Sequence, residues 1–191
     1  NAGATAPEWA TVATASSDFV KIGTTNGTGS SGVVTLDDCF SADYRNYRIY
    51  ITAYLDSTTQ YFWRLRTGGA SGTSVTSGYY MAGYMTDLKS DANGSGIQGT
   101  WSGSNYEAQE NSSDNEDRAG TLVIDLFDPF VTARDVFWSG HWFQYDGSYL
   151  RNINSGGWLA CQDTQITGCE MYSASANFRA HSKITVYGLK E

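Results

Sequence analysis

The chain has 191 residues, of which 40% are hydrophobic, 14% aromatic and only 17% charged, with a formal net charge of −8. This length suits one sizeable core rather than two domains, and the hydrophobic content is too high for a disordered chain. A phosphate backbone would be repelled by the net charge, and the 12 basic residues form no run, so nucleic acid is not an expected partner. No stretch reaches the ~18 apolar residues of a membrane helix, so membrane insertion is not expected either.

Residues 1–16, NAGATAPEWATVATAS, are small, polar and nearly unpatterned. They read as an extended N-terminal arm or linker, with Trp9 as the candidate anchor on a neighbouring surface. The folded domain is placed at 17–191. DFVKIG (18–23) and GVVTL (32–36) are strand signals flanking a turn-rich stretch with Asn26-Gly27. In YRIYITAYL (47–55), Tyr47, Ile49, Ile51, Ala53 and Leu55 share one face, and Arg48, Tyr50, Thr52 and Tyr54 the other. QYFWRLRT (60–67) repeats the pattern, setting Tyr61, Trp63 and Leu65 against Phe62, Arg64 and Arg66. DSTT (56–59) between them is expected to make a hairpin.

Further strands are expected at SGYYMAGYM (77–85) and GIQGTW (96–101), with polar loops at 90–96 and 102–117. AGTLVIDLF (119–127), DVFWSGHWFQYD (135–146), GGWLAC (156–161), QITGCEMYSA (165–174) and SKITVYGL (182–189) complete the set. Nine to eleven strands at short spacing without a helical pattern predict an all-β, antiparallel two-sheet β-sandwich. The length favours a jelly-roll-like form over a smaller immunoglobulin-like one.

Chemistry-bearing motifs are sparse. His141 and His181 stand in no triad or metal-binding pattern, and neither G-x-S-x-G nor H-E-x-x-H occurs. His141 shares a strand face with Phe137, Ser139, Phe143 and Tyr145, which reads as a structural role. Of the carboxylates a glycosidase would need, Asp125 with Asp128, Glu107 with Glu110, and the cluster Asp114, Glu116 and Asp117 are candidates, and no neighbour singles one out. Asp91, Asn93 and Ser95 have calcium-loop spacing, but Ser102 stands where the closing Glu belongs. The expectation is therefore a non-enzyme without cofactor, metal or catalytic residues. Cys39, Cys161 and Cys169 read as reduced thiols, with a small Cys161–Cys169 disulfide loop as the alternative.

The functional signal is compositional. Tyr and Trp lie beside Asn, Gln and Ser in TWSGSNYEAQ (100–109) and HWFQYDGSYLRN (141–152). Flat aromatic rings stack on sugars and protein surfaces at low entropic cost, and neighbouring amides fix hydroxyls. Trp101, Asn105, Tyr106, Tyr145 and Tyr149 are the candidate ligand-binding residues. Trp138, Trp142 and Trp158 are expected to be buried by their strand positions.

NAGATAPEWATV resembles the segment that leads into a C-terminal domain in phage tail-fibre proteins. DDCFSADYRNYRIYI followed by QYFWRLRTGGASG is similar to the start of a domain in virion proteins of marine phages and cyanophages. The matching positions are Asp43, Tyr44, Arg45, Tyr47 and Arg48, then Phe62, Leu65 and Arg66, and SKITVYGLKE resembles the closing strand. The resemblance implies a β-sandwich on a virion, assembled in the host cytoplasm and exposed on the particle. It also implies a homotrimer alongside other virion proteins. The expected function is the distal domain of a tail fibre that adheres to a host surface glycan or protein receptor. Alternatives are a capsid decoration (cement) or head-fibre protein, and a non-viral carbohydrate-binding module. On this view residue 191 is a genuine C-terminus and residue 1 is not a genuine start.

Overall fold

The computed structural model describes residues 18–190 except 58, 90–94, 104–105, 113–119, 146–148 and 162, and for 85–89, 95–103, 106–112, 144–145 and 149–151 the backbone alone. The expected arm at 1–16 lies outside the described residues, as does most of the expected loop at 90–96. Among the described residues no helix is long and apolar enough to cross a membrane.

The strands are β1 (Phe19–Asn26), β2 (Val33–Leu36), β3 (Asn46–Ala53), β4 (Thr59–Thr67), β5 (Thr73–Ser74), β6 (Tyr79–Lys89), β7 (Ser95–Gly103), β8 (Tyr106–Ser112), β9 (Gly120–Phe127), β10 (Val136–Tyr145), β11 (Tyr149–Leu159), β12 (Gly168–Ser173) and β13 (Lys183–Leu189). A single 3-10 turn, Gly69–Ser71, precedes β5. The larger sheet runs β1-β13-β3-β9-β10-β11-β6-β7; the smaller runs β2-β12-β4-β5, with β8 also on β4. All pairs are antiparallel.

The chain is therefore an all-β sandwich of two antiparallel sheets, and its strand order is that of a jelly roll. The frame consists of β1, β13, β3 and β9 in one sheet and β2, β12, β4 and β8 in the other. Successive frame strands change sheets at every step except β4 to β8, which pair within the smaller sheet, in the order of two Greek keys. Between β4 and β8 the chain inserts β5, β6 and β7; between β9 and β12 it inserts the β10–β11 hairpin. Strands β10, β11, β6 and β7 widen the larger sheet beyond the frame.

Period-two burial builds the core. Ile49, Ile51, Leu122, Ile124, Leu126, Ile184 and Val186 point inward from the larger sheet, all fully buried. Tyr61, Trp63, Leu65, Cys169 and Met171 meet them from the smaller. The hairpin expected at 56–59 does not form: β3 pairs β13 and β9, and β4 pairs β12, β5 and β8. Each of the two strands carries an unbroken apolar row, and the rows are buried by facing each other across the sandwich, not by lying side by side. β1 and β2 likewise enter different sheets. The stretch 102–117, expected as a loop, contains β8. All three cysteines are free thiols, Cys39 and Cys169 buried and Cys161 half-buried.

The outer face of the smaller sheet holds a buried ionic cluster. Arg66 reaches Glu170 at 2.5 Å and Asp37 at 2.6 Å, and its guanidinium also donates to the Gly72 carbonyl. Ser74 donates to the second Glu170 oxygen at 2.7 Å, and Arg64 lies 3.7 Å from Glu170. Glu170 is only 2% exposed although it points away from the core. The cluster pins the 68–74 segment over β4 and β12.

At the end of β9, Asp128 adopts a left-handed backbone (φ 49°), a conformation Asp tolerates better than most residues. Its amide donates to the Arg45 carbonyl, and its carboxylate takes Arg45 Nε and Nη2 at 2.8 and 3.0 Å. The Arg45 hydrogen bonds hold the Asp128 carboxyl below its ordinary value of 3.8. A depressed folded-state pKa contributes stability above the unfolded value and loses it as pH falls through the folded one. The stability gap between wild type and Asp128→Asn, read by urea unfolding, is expected to be constant near neutrality and to shrink once pH drops below 3.8.

Candidate functional site

Trp9 and Asn105 lie outside the described residues. Trp101 is placed on β7, Tyr106 on β8, Tyr145 at the end of β10 and Tyr149 at the start of β11, and their side chains lie outside the described residues. Tyr145 and Tyr149 stand at the adjoining ends of the paired strands β10 and β11, whereas Trp101 and Tyr106 belong to different sheets.

The described surface concentrates exposed aromatics elsewhere: on the outer face of the larger sheet. Antiparallel register sets outward residues in rows across the strands. One row runs Phe127, Phe137, Trp158, Tyr80 over β9, β10, β11 and β6. All of these are exposed, Phe137 by 53%, and Tyr80 stacks on Trp158 with centroids 5.0 Å apart at 15°. The next row is Asp125, Ser139, Gly156 and Ala82. A third row is Val123, His141, Asn154 and Tyr84, and Phe143 packs edge-on against His141 at 4.6 Å.

Large side chains on both sides of a small-residue row make a trench. Its walls are four residues apart along each strand, about 14 Å between backbones, and the Ser139–Gly156–Ala82 floor crosses about 10 Å of sheet. The end at β3 and β9 is a depression of about 460 Å³ lined by Arg48, Asp125, Ser139, His141 and Asn154, among others. That volume falls within the usual range of small-ligand pockets.

Polar groups line this end. Arg48 grips Asp125 in a bidentate pair, Nε–Oδ1 at 2.6 Å and Nη2–Oδ2 at 2.8 Å, and the pair raises the pKa of the Arg48 guanidinium. Arg48 on β3 is the direct cross-strand neighbour of Asp125 on β9. His141 Nδ1 and Asn154 Oδ1 are 2.5 Å apart. Since the amide oxygen only accepts, Nδ1 carries the proton. In neutral histidine this leaves Nε2 as an acceptor, and Asn154 keeps its amide NH₂ to donate. Asp125 and Asp128, offered above as paired carboxylates, are each held by arginines instead.

Trp138 and Trp142 are buried as expected, at 3% and 1%. Trp158 is not: it is 41% exposed and forms the trench wall. Trp158 and Leu159 are adjacent in a strand, so only one can point inward, and Leu159 takes the core. That adjacency is the signal by which Trp158 could have been found. His141, expected in a structural role, lines the trench as well as bonding to Asn154.

No family model, curated protein or solved structure matches the chain.

Proposed function

We propose that this chain is a non-catalytic virion module, the trimeric distal domain of a phage tail fibre, which adheres to a glycan or receptor on the host surface. The observation that carries the reading is the exposed aromatic row Phe127–Phe137–Trp158–Tyr80 on the outer face of the larger sheet. Monomeric soluble proteins rarely leave a contiguous aromatic face uncovered without a partner for it. Three copies on one fibre would each contribute weak contacts, and linkage would multiply them into useful avidity. The low charge content and the many tyrosines suit such a surface. Residue-level similarity to tail-fibre domains, set out above, supplies the virion setting.

Gold-labelled antibody against the purified domain tests the placement. Label at the fibre tips of intact particles is the expected result, and label on the head would replace this reading with capsid decoration. Light scattering of the soluble domain checks the assembly: a mass near three times 20.8 kDa is expected, and a monodisperse monomer counts against the trimer.

A further inference from the structure

We infer that the trench on the outer face of the larger sheet is a subsite for an uncharged polysaccharide, with Trp158 and Tyr80 as the stacking wall and Arg48, Asp125, Ser139, His141 and Asn154 as the hydrogen-bonding end. The inference deepens the adhesion reading and rests on it for biological context, but not for its test.

Three features select a sugar over other occupants. The first is the nature of the polar groups. A sugar hydroxyl both donates and accepts, so a site for it needs donors and acceptors side by side. The trench offers Asn154 Nδ2–H and Arg48 N–H groups as donors and Asp125 oxygens and His141 Nε2 as acceptors. The Ser139 hydroxyl does either; Ser139 is exposed and has no hydrogen-bond partner among the described residues. An apolar protein surface from a second copy would strand these groups against carbon, which costs free energy for each.

The second feature is charge. Arg48 and Asp125 neutralise each other within the trench, and the chain as a whole carries −8. Among the described residues a polyanion finds no unpaired cation in the trench, and it is repelled at long range; a neutral chain meets neither obstacle. The third is shape. Stacked Tyr80 and Trp158 present flat rings, and the small floor at Gly156 and Ala82 leaves the trench open towards β6. A ring with an apolar face and polar edges fits between such a wall and such a row of amides.

The test uses affinity electrophoresis of the intact domain in gels containing dextran, galactomannan, xylan or a mixed-linkage β-glucan, with alginate as the acidic probe. At least one uncharged polymer is expected to retard the wild-type protein, and alginate is not. Trp158→Ala should weaken that interaction about tenfold or more, as loss of a central aromatic anchor does. Ser139→Trp, which fills the trench from an exposed position, should abolish it. Val33→Ser, on the opposite sheet and exposed, should leave it unchanged. Thermal melting of each variant separates loss of binding from loss of fold. Retardation by none of the uncharged polymers, by alginate alone, or equally in Ser139→Trp and wild type, overturns the inference. Host-cell adhesion that survives Ser139→Trp also overturns it while leaving the adhesion function standing; uncharged-polymer binding by wild type that is lost in Ser139→Trp, with label on the capsid, does the reverse.

Discussion

Glu170→Ala is expected to destabilise the domain by about 3–5 kcal/mol, the usual cost of removing one partner from a buried ion pair. The reason lies in what remains. Arg66 is 11% exposed and Arg64 18%, and Glu170 answers both. Without it Arg66 keeps Asp37 as its carboxylate partner, with the neutral Gly72 carbonyl and Ser74 hydroxyl beside it, and the Ser74 hydroxyl loses its acceptor. The energy is not the attraction of the pair but the cost of leaving guanidinium charge in a desolvated place. The surface pair Arg45–Asp128, in which Arg45 is 55% exposed, gives the contrast: Arg45→Ala should cost under about 1 kcal/mol. Urea unfolding of the two variants side by side measures the difference. Equal small losses would mean that water reaches the Glu170 cluster and screens it.

The second large effect is expected at Gly157, where Gly157→Val should cost about 3 kcal/mol or more and remove the trench with it. Adjacent glycines here have opposite tasks. Gly156 points outward and forms the trench floor. Gly157 points inward, where a Cβ would press on the Tyr80 carbonyl oxygen, lie 2.7 Å from the Trp138 indole and 2.9 Å from Met81 Cα. Two of these neighbours belong to β6, so relief of the clash means parting β6 from β11. Overpacking of this kind typically costs 1–3 kcal/mol, and backbone that cannot move raises the figure. Hydrogen exchange should show β6 amides losing protection while those of β3 and β13 keep theirs. Gly156→Ala meets the Trp138 carbonyl at 3.2 Å and Ser139 Cα at 3.9 Å and should cost far less than Gly157→Val. Uniform loss of protection across both sheets would mean that the β6–β11 pairing is not a separable unit.

The strands were legible in the sequence because alternation is a local property. Tyr47, Ile49 and Ile51 face inward and Arg48 and Tyr50 outward, as their spacing predicts. Strand partners were not legible, because partner choice depends on where two apolar rows meet. The stretch 56–59 looks like a hairpin turn and is instead a crossing between sheets. Polar YEAQENS shows no apolar alternation, so β8 could not be read, although backbone pairing with β4 places it. The trench was not legible for a related reason. Trp158 and Phe137 are far apart in sequence, and only the register that sets them opposite each other turns two strand aromatics into a wall. The polar end of the trench is likewise assembled from β3, β9, β10 and β11.

β13 lies between β1 and β3, with Leu189 opposite Phe19 on one side and Asn46 on the other. A ribosome makes β1 and β3 well before β13. Until β13 emerges, β1 and β3 each expose an unpaired edge, and β1 is cut off from the rest of the larger sheet. Pairings across so great a sequence separation are slow to form, and open edges invite pairing with other chains. Chains growing close together would have a shared interval in which each could lend its strand to a neighbour. The insertion of β13 is thus the step that decides whether a nascent chain closes on itself.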